Sequence, residues 1–113
     1  MKTSDKFTYT SKYATYENCM FCVNKYVHTK NLALSIYSEE EGPITTCTIN
    51  TGYVSKGDEI GVKNYSENEG MVDFLKNIGI IEGEPVHVQN SEWVEIPYYK
   101  LSESGKELFN EFV

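Results

Sequence analysis

Cysteine is the first residue type in this chain whose spacing suggests chemistry. Cys19-Met20-Phe21-Cys22 has the C-x-x-C spacing of zinc knuckles and thiol–disulfide motifs, and Cys47, His28 and His87 would extend it to a ligand set. Local geometry argues against both. Cys19, Phe21 and Val23 alternate with Met20, Cys22 and Asn24, the period of a strand, and on a strand residues three apart point to opposite faces. A knuckle needs both thiols on a tight turn, and a redox pair needs a helix beginning at the motif. The expectation is core cysteines, no metal and no cofactor, with a ligand- or metal-binding module on the cysteines kept as an alternative. His28 lies in a lysine-flanked turn and His87 between two valines, neither with a Ser, Cys or acid at triad spacing. A nucleophile elbow, a phosphate-cradling glycine loop and an H-E-x-x-H helix are missing. Acid pairs such as Glu82/Glu84 and Glu92/Glu95 read as solvated surface, so the chain is read as a non-enzyme.

Charge is the informative property. Ten basic residues, all lysine, stand against 17 acids, for a net charge of −7. That balance disfavours generic attraction to nucleic acid or an anionic membrane. Without arginine, the bidentate fork that reads guanine or clamps phosphate is absent. The first 38 residues are net positive, and the acids crowd the remainder. Glu39, Glu40, Glu41, Asp58, Glu59, Glu67 and Glu69 are the candidate contact residues, a folded negative surface suited to a basic partner. Lys6, Phe7, Tyr9, Lys12, Tyr13 and Tyr16 interleave base and aromatic, which suits single-stranded nucleic acid. An arm lying against the acidic remainder explains the same residues, and direct nucleic-acid binding is the alternative reading.

The 113 residues suit one domain. A strand from Tyr16 to Val27, the turn His28–Asn31, a strand from Leu32 to Tyr37, the turn Ser38–Pro43 and a β-branched strand from Ile44 to Asn50 form a meander. A short strand is expected near Glu59 to Lys63. Met71, Val72, Phe74, Leu75 and Ile78 then recur at helical spacing, which predicts a helix over 69–78 with a Ser66/Glu69 capping box and Gly79 as its left-handed cap. Gly83 and Pro85 bracket a turn, Val86 and Val88 suggest a strand, and Trp93 to Leu101 another, placed at an edge or carrying a bulge because Pro97 lacks a donor. Residues 102–113 suggest a short helix capped by Ser102 or Ser104 and weakened by Gly105. The fold class is therefore α+β: one domain, an antiparallel sheet of about five strands, one main helix on one face and a short C-terminal helix, with residues 1–15 as a mobile arm. The polar N-terminus, the odd cysteine count and the shortness of every apolar run predict a cytoplasmic protein that does not enter membranes.

Over roughly residues 16–101 the chain resembles a group of small uncharacterised proteins carried on conjugative elements and plasmids of low-GC bacteria. The resemblance rests on Asn31-Leu32-Ala33-Leu34-Ser35-Ile36, the acidic turn to Gly42-Pro43, Thr48-Ile49-Asn50, Asn64, the run Phe74-Leu75-Lys76-Asn77-Ile78-Gly79-Ile80, and Ile96-Pro97-Tyr98-Tyr99-Lys100-Leu101. Of the group's Asp-x-Asn-Asn-x-Pro-Trp segment, the chain keeps Asn64 and lacks the proline and tryptophan. The resemblance implies a mobile-element context, where small acidic proteins without catalytic motifs often act in counter-defence, as anti-CRISPR inhibitors or DNA mimics. The expected partner is a basic host protein, a CRISPR nuclease or its guide complex. The oligomeric state stays open, a homodimer included.

Overall fold

Side-chain alternation builds the first sheet. In the computed structural model, which describes residues 1–110, β1 (Phe7–Thr10), β2 (Thr15–Lys25), β3 (Leu32–Ser38) and β4 (Gly42–Thr46) pair antiparallel in the order β1-β2-β3-β4. Phe21 and Val23 of β2 lie opposite Ile36 and Leu34 of β3 and turn inward; Met20, Cys22 and Asn24 lie opposite Tyr37, Ser35 and Ala33 and turn outward. The expected meander is β2-β3-β4. Residues 7–10, inside the segment read as an arm, add the edge strand β1, anchored by buried Tyr9, whose ring meets that of Phe74 edge-on at 5.0 Å.

The sheet does not continue as one layer of about five strands. Among the described residues there are seven strands in two sheets, the second being β5 (Glu59–Gly61), β6 (Ile81–Ser91) and β7 (Val94–Leu101) in the order β5-β7-β6. Pro97 explains part of this. It lies on the central strand β7, not at an edge, and its carbonyl accepts the Val62 N–H at 3.0 Å. The reciprocal bond from the Pro97 nitrogen cannot form, so the β5 ladder stops at Gly61 opposite Tyr98, and Val62 turns to bridge Thr48. The turn expected at Gly83 and Pro85 is an irregularity inside β6: Glu82 pairs with Lys100 and the next pair is His87–Tyr98, so residues 83–86 loop out.

Helix α1 (Met71–Asn77) is shorter than the predicted span and starts differently. No capping box forms. Ser66 opens a 3-10 turn at φ 58°, the N-cap is Gly70 at φ 91°, and the Val72 N–H is satisfied by Asn64 Oδ1 at 2.9 Å. The other end follows its sequence signal: Gly79, at φ 86°, donates to Lys76 O, and Ile80 donates to Leu75 O at 2.8 Å, a Schellman closure. Helix α2 (Glu103–Leu108) is capped by Ser102, whose Oγ accepts the Gly105 N–H at 3.0 Å; the last three residues of its expected span lie outside the described residues. One core joins the parts, with Phe21, Leu34 and Ile36 from the first sheet, Ile60, Tyr99 and Leu101 from the second, Met71 and Leu75 from α1, and Leu108 and Phe109.

Gly105 has a packing role that propensity alone misreads. A Cβ there would sit 2.2 Å from the Ile80 carbonyl oxygen, a backbone atom that also accepts the Ser102 N–H. In an exposed helix, Gly→Ala stabilises by up to about 1 kcal/mol. Here Gly105→Ala is expected to destabilise by on the order of 2–3 kcal/mol through overpacking. Urea denaturation reads the sign, and a stabilised variant would remove this explanation.

Candidate functional site

The cysteines divide as strand geometry requires. Cys19 faces the core and Cys22, three residues on, is exposed on the opposite side of β2; Cys47 is also buried. Burial pushes the Cys47 thiol far above its ordinary range and raises that of Cys19, which disfavours the thiolate needed for metal binding or nucleophilic attack. Among the described residues, no group of three or more His, Cys, Asp or Glu side chains is placed to hold a metal ion.

His87 is held in an aromatic cluster. Its ring stacks on Tyr53 at 3.9 Å and 9°, Nε2 lies 3.0 Å from Gln89 Oε1, and Tyr53 meets the ring of buried Tyr98 edge-on at 4.9 Å. The Tyr98 hydroxyl pairs with Thr51 Oγ1 at 2.7 Å. Gly61 makes room for this ring, since a Cβ there would lie 2.7 Å from Tyr98 Cζ. Each polar atom named here bonds another within the cluster, an arrangement that closes the second sheet with no nucleophile beside the imidazole.

The acids gather elsewhere. The β3–β4 turn carries Glu39, Glu40 and Glu41, and Glu40 and Glu41 share a shallow depression with Tyr16 and Glu17 of β2. The 3-10 turn at Ser66–Asn68 carries Glu67, which borders a second small depression with Tyr9, Tyr13 and Tyr16. Tyr16 lines both, so the β1–β2 hairpin joins the two acidic turns at one end of the sheet. The 3-10 turn is fixed by buried Asn68, which accepts the Thr45 hydroxyl at 2.6 Å and donates to Thr46 O at 2.7 Å.

Lysines neutralise part of this end. Lys6 Nζ meets Glu39 at 2.9 Å and Lys12 Nζ meets Glu69 at 3.0 Å, while Lys63 pairs with Glu67 four residues on. The two N-terminal lysines set among aromatics thus face acids of their own chain. The Lys63 hydrogen bond, helped by backbone N–H and Ser66, holds the Glu67 carboxyl down at about 2. Glu40 is different. Its oxygens accept from Asn18 Nδ2 at 2.7 Å and Ser38 Oγ at 3.1 Å, and these neutral donors hold its carboxyl below the ordinary range. Glu40, Glu41 and Glu17 have no lysine within ion-pair distance among the described residues.

Five of the seven nominated acids meet at this end. The other two do not. Asp58 and Glu59 lie at the far end of β5; Glu59 is four residues before Lys63, roughly 13 Å along the chain. Asp58 faces Lys100 at 3.9 Å, and Glu59 is only 7% exposed, with Oε1 accepting the Lys56 N–H. As adjacent acids they read as surface charge, and the pairing of β5 with β7 buried Glu59. Glu17 and Asn18 were missed. Asn18 sits at φ 54°, inside the irregularity that sets Phe7 opposite Cys19 and Tyr9 opposite Tyr16, and this aims its amide at Glu40. An asparagine interrupting an alternating strand was the available signal.

Comparison with known families, curated proteins and solved structures finds no match for this chain. Among the described residues no helix is long and apolar enough to cross a membrane.

Two measurements check the site's electrostatics. With dilute native protein, one thiol of three should react promptly with a chromogenic disulfide and all three after denaturation; fast labelling of two or more native thiols contradicts the burial. Because the folded carboxyl of Glu67 is depressed, its contribution to stability is present above the ordinary range near 4.3 and disappears as pH falls toward about 2. Glu67→Gln should therefore lower stability most at neutral pH, flatten the profile across that acid window and converge with the unaltered protein as pH approaches about 2. Glu67 is half exposed and screened, so the difference should shrink further in high salt.

Proposed function

We propose that this protein works by binding alone, as a counter-defence inhibitor of a mobile element that occupies a basic surface of an RNA-guided CRISPR nuclease or its guide complex. The supporting observation is Glu40, exposed but oriented by Asn18 and Ser38, and grouped with Glu17 and Glu41, none of the three within ion-pair distance of a lysine among the described residues. A carboxylate held by neutral donors is already oriented, so Glu40 can accept hydrogen bonds from the lysines and arginines of a nucleic-acid channel with little reordering. Exposed Tyr13, beside Lys12, supplies an aromatic surface at the same end. The resemblance to small proteins of conjugative elements supplies the biological setting, and the protein is proposed to act in the cytoplasm with no bond made or broken.

The test is a cleavage and capture assay with purified guide-loaded nuclease. Inhibition should weaken with salt, and the triple variant Glu17→Gln/Glu40→Gln/Glu41→Gln should lose at least tenfold in affinity, which corresponds to about 1.4 kcal/mol. Asp58→Asn should leave it unchanged. Unaltered affinity in the triple variant would remove these positions from the contact. Retention of single-stranded DNA in a gel shift, lost with Lys6→Ala/Lys12→Ala, would instead assign the role to the N-terminal hairpin.

A further inference from the structure

Between Met20 and Asn24 the outward face of β2, with the facing residues Ala33, Ser35 and Tyr37 of β3, carries no charge, in a chain of net charge −7. Met20, Cys22 and Asn24 of β2 lie there beside Tyr37, Ser35 and Ala33 of β3, and Cys22, Asn24 and Tyr37 are exposed. Charge collects at the two ends of these strands instead. Glu39, Glu40 and Glu41 follow β3 in the turn to β4, while Lys30 stands in the opposite turn between β2 and β3, with Lys25 at the end of β2 leading into it. Along β3 the two ends are roughly 20 Å apart, about twice the screening length at 0.1 M salt. Within one molecule they therefore barely offset each other.

A second copy of the chain matches this pattern. Two molecules of the same negative charge repel unless they meet through an uncharged surface with opposite ends aligned. A two-fold axis between two such sheets, running across the strands at the level of the Cys22–Ser35 pair, meets both conditions. It stacks β2 on its counterpart in the reverse direction, sets each acidic turn against the other copy's lysine turn, and brings the two Cys22 side chains together. Cys22, Ala33 and Ser35 are small, which lets the sheets approach, and Met20 and Tyr37 supply apolar contact around them. We infer that the protein forms a homodimer through this face, steered by the charges at its ends.

Sedimentation equilibrium of the full chain from micromolar to sub-millimolar concentration should show a reversible shift from 12.9 kDa to twice that mass. Ser35→Lys, and separately Tyr37→Glu, should weaken dimerisation at least tenfold while circular dichroism stays native. Lys30→Glu and Glu41→Lys should each weaken it, and the two together should restore it. A short bismaleimide should join Cys22 to Cys22, and labelling of Cys22 by a monofunctional reagent should slow as protein concentration rises. A monomer throughout the range, a dimer indifferent to both face variants, or a dimer without the Cys22 cross-link would each overturn the inference. None of these readouts involves a nuclease, so their outcome is independent of the proposed inhibition.

Discussion

Thr48 is the point on which the two sheets depend. It is 2% exposed, and its hydroxyl accepts the Leu34 N–H at 3.1 Å and pairs with the Tyr26 hydroxyl at 3.0 Å. Strand β4 has ended at Thr46, so the Leu34 donor, buried in the middle of β3, would otherwise have no partner, and a buried unpaired donor costs about 1–3 kcal/mol. The Thr48 side chain takes over where the ladder stops. The backbone on either side does the same in reverse: Cys47 donates to Leu34 O, and its own carbonyl accepts the Lys63 N–H at 2.8 Å. The Thr48 hydroxyl and the Cys47 backbone thus carry the chain from one sheet to the other. On the β7 side Val62 donates to Pro97 O and the proline offers no N–H in return; on the other side the Thr48–Val62 bridge is closed by Ile49 N–H to Gly61 O at 3.1 Å and Lys63 N–H to Cys47 O.

That junction also positions the acidic end. Lys63 follows Val62 directly, and its ion pair with Glu67, together with the two hydrogen bonds of buried Asn68, ties the 3-10 turn to β4. The β1–β2 hairpin then closes over it, with Lys12 on Glu69 and Lys6 on Glu39. These are exposed pairs, each worth little to stability. Their effect is on arrangement: they spend three carboxylates on holding loops together and leave Glu17, Glu40 and Glu41 uncompensated. At this end the surface therefore displays Glu17, Glu40 and Glu41, while Asp73, Glu82, Glu84, Glu92 and Glu95 are exposed elsewhere on the molecule.

Charge and its absence are segregated in the same sheet. The inward face is apolar, the outward face of β2 and β3 is neutral between Met20 and Asn24, and the ionised groups stand at the strand ends. Such a surface separates two kinds of contact, one driven by carboxylates at the turns and one by close approach over the flat face.

Much of the local structure was legible in the residues. Alternation identified β2 and β3 almost to the residue and put Cys19 and Cys22 on opposite faces; the 3.6-residue period located α1; Gly79 and Ser102 marked a helix end and a helix start. These signals are local because strand and helix periods and cap geometry act within a few residues. Wherever a partner distant in sequence competed, the local reading failed. Asn64 and Gly70 displaced the Ser66 capping box, β1 was drawn into the sheet by Tyr9 and Phe74, and Gly105 proved necessary because Ile80 O occupies the space of a side chain. The site divides the same way: the acidic runs were visible as charge, but which carboxylates are free was decided by lysines up to 57 residues away and by burial of Glu59 against β7. Composition and periodicity by themselves determined an acidic α+β chain with Cys19 and Cys22 on opposite faces of a strand, because those properties need only neighbours; the expectation that all three cysteines lie in the core fails at Cys22, which is exposed. Tertiary structure alone decided two sheets over one, and that Glu39, Glu67 and Glu69 are paired with lysines while Glu17, Glu40 and Glu41 beside them are not, because hydrogen-bond satisfaction and ion pairing depend on what the fold brings within a few ångströms.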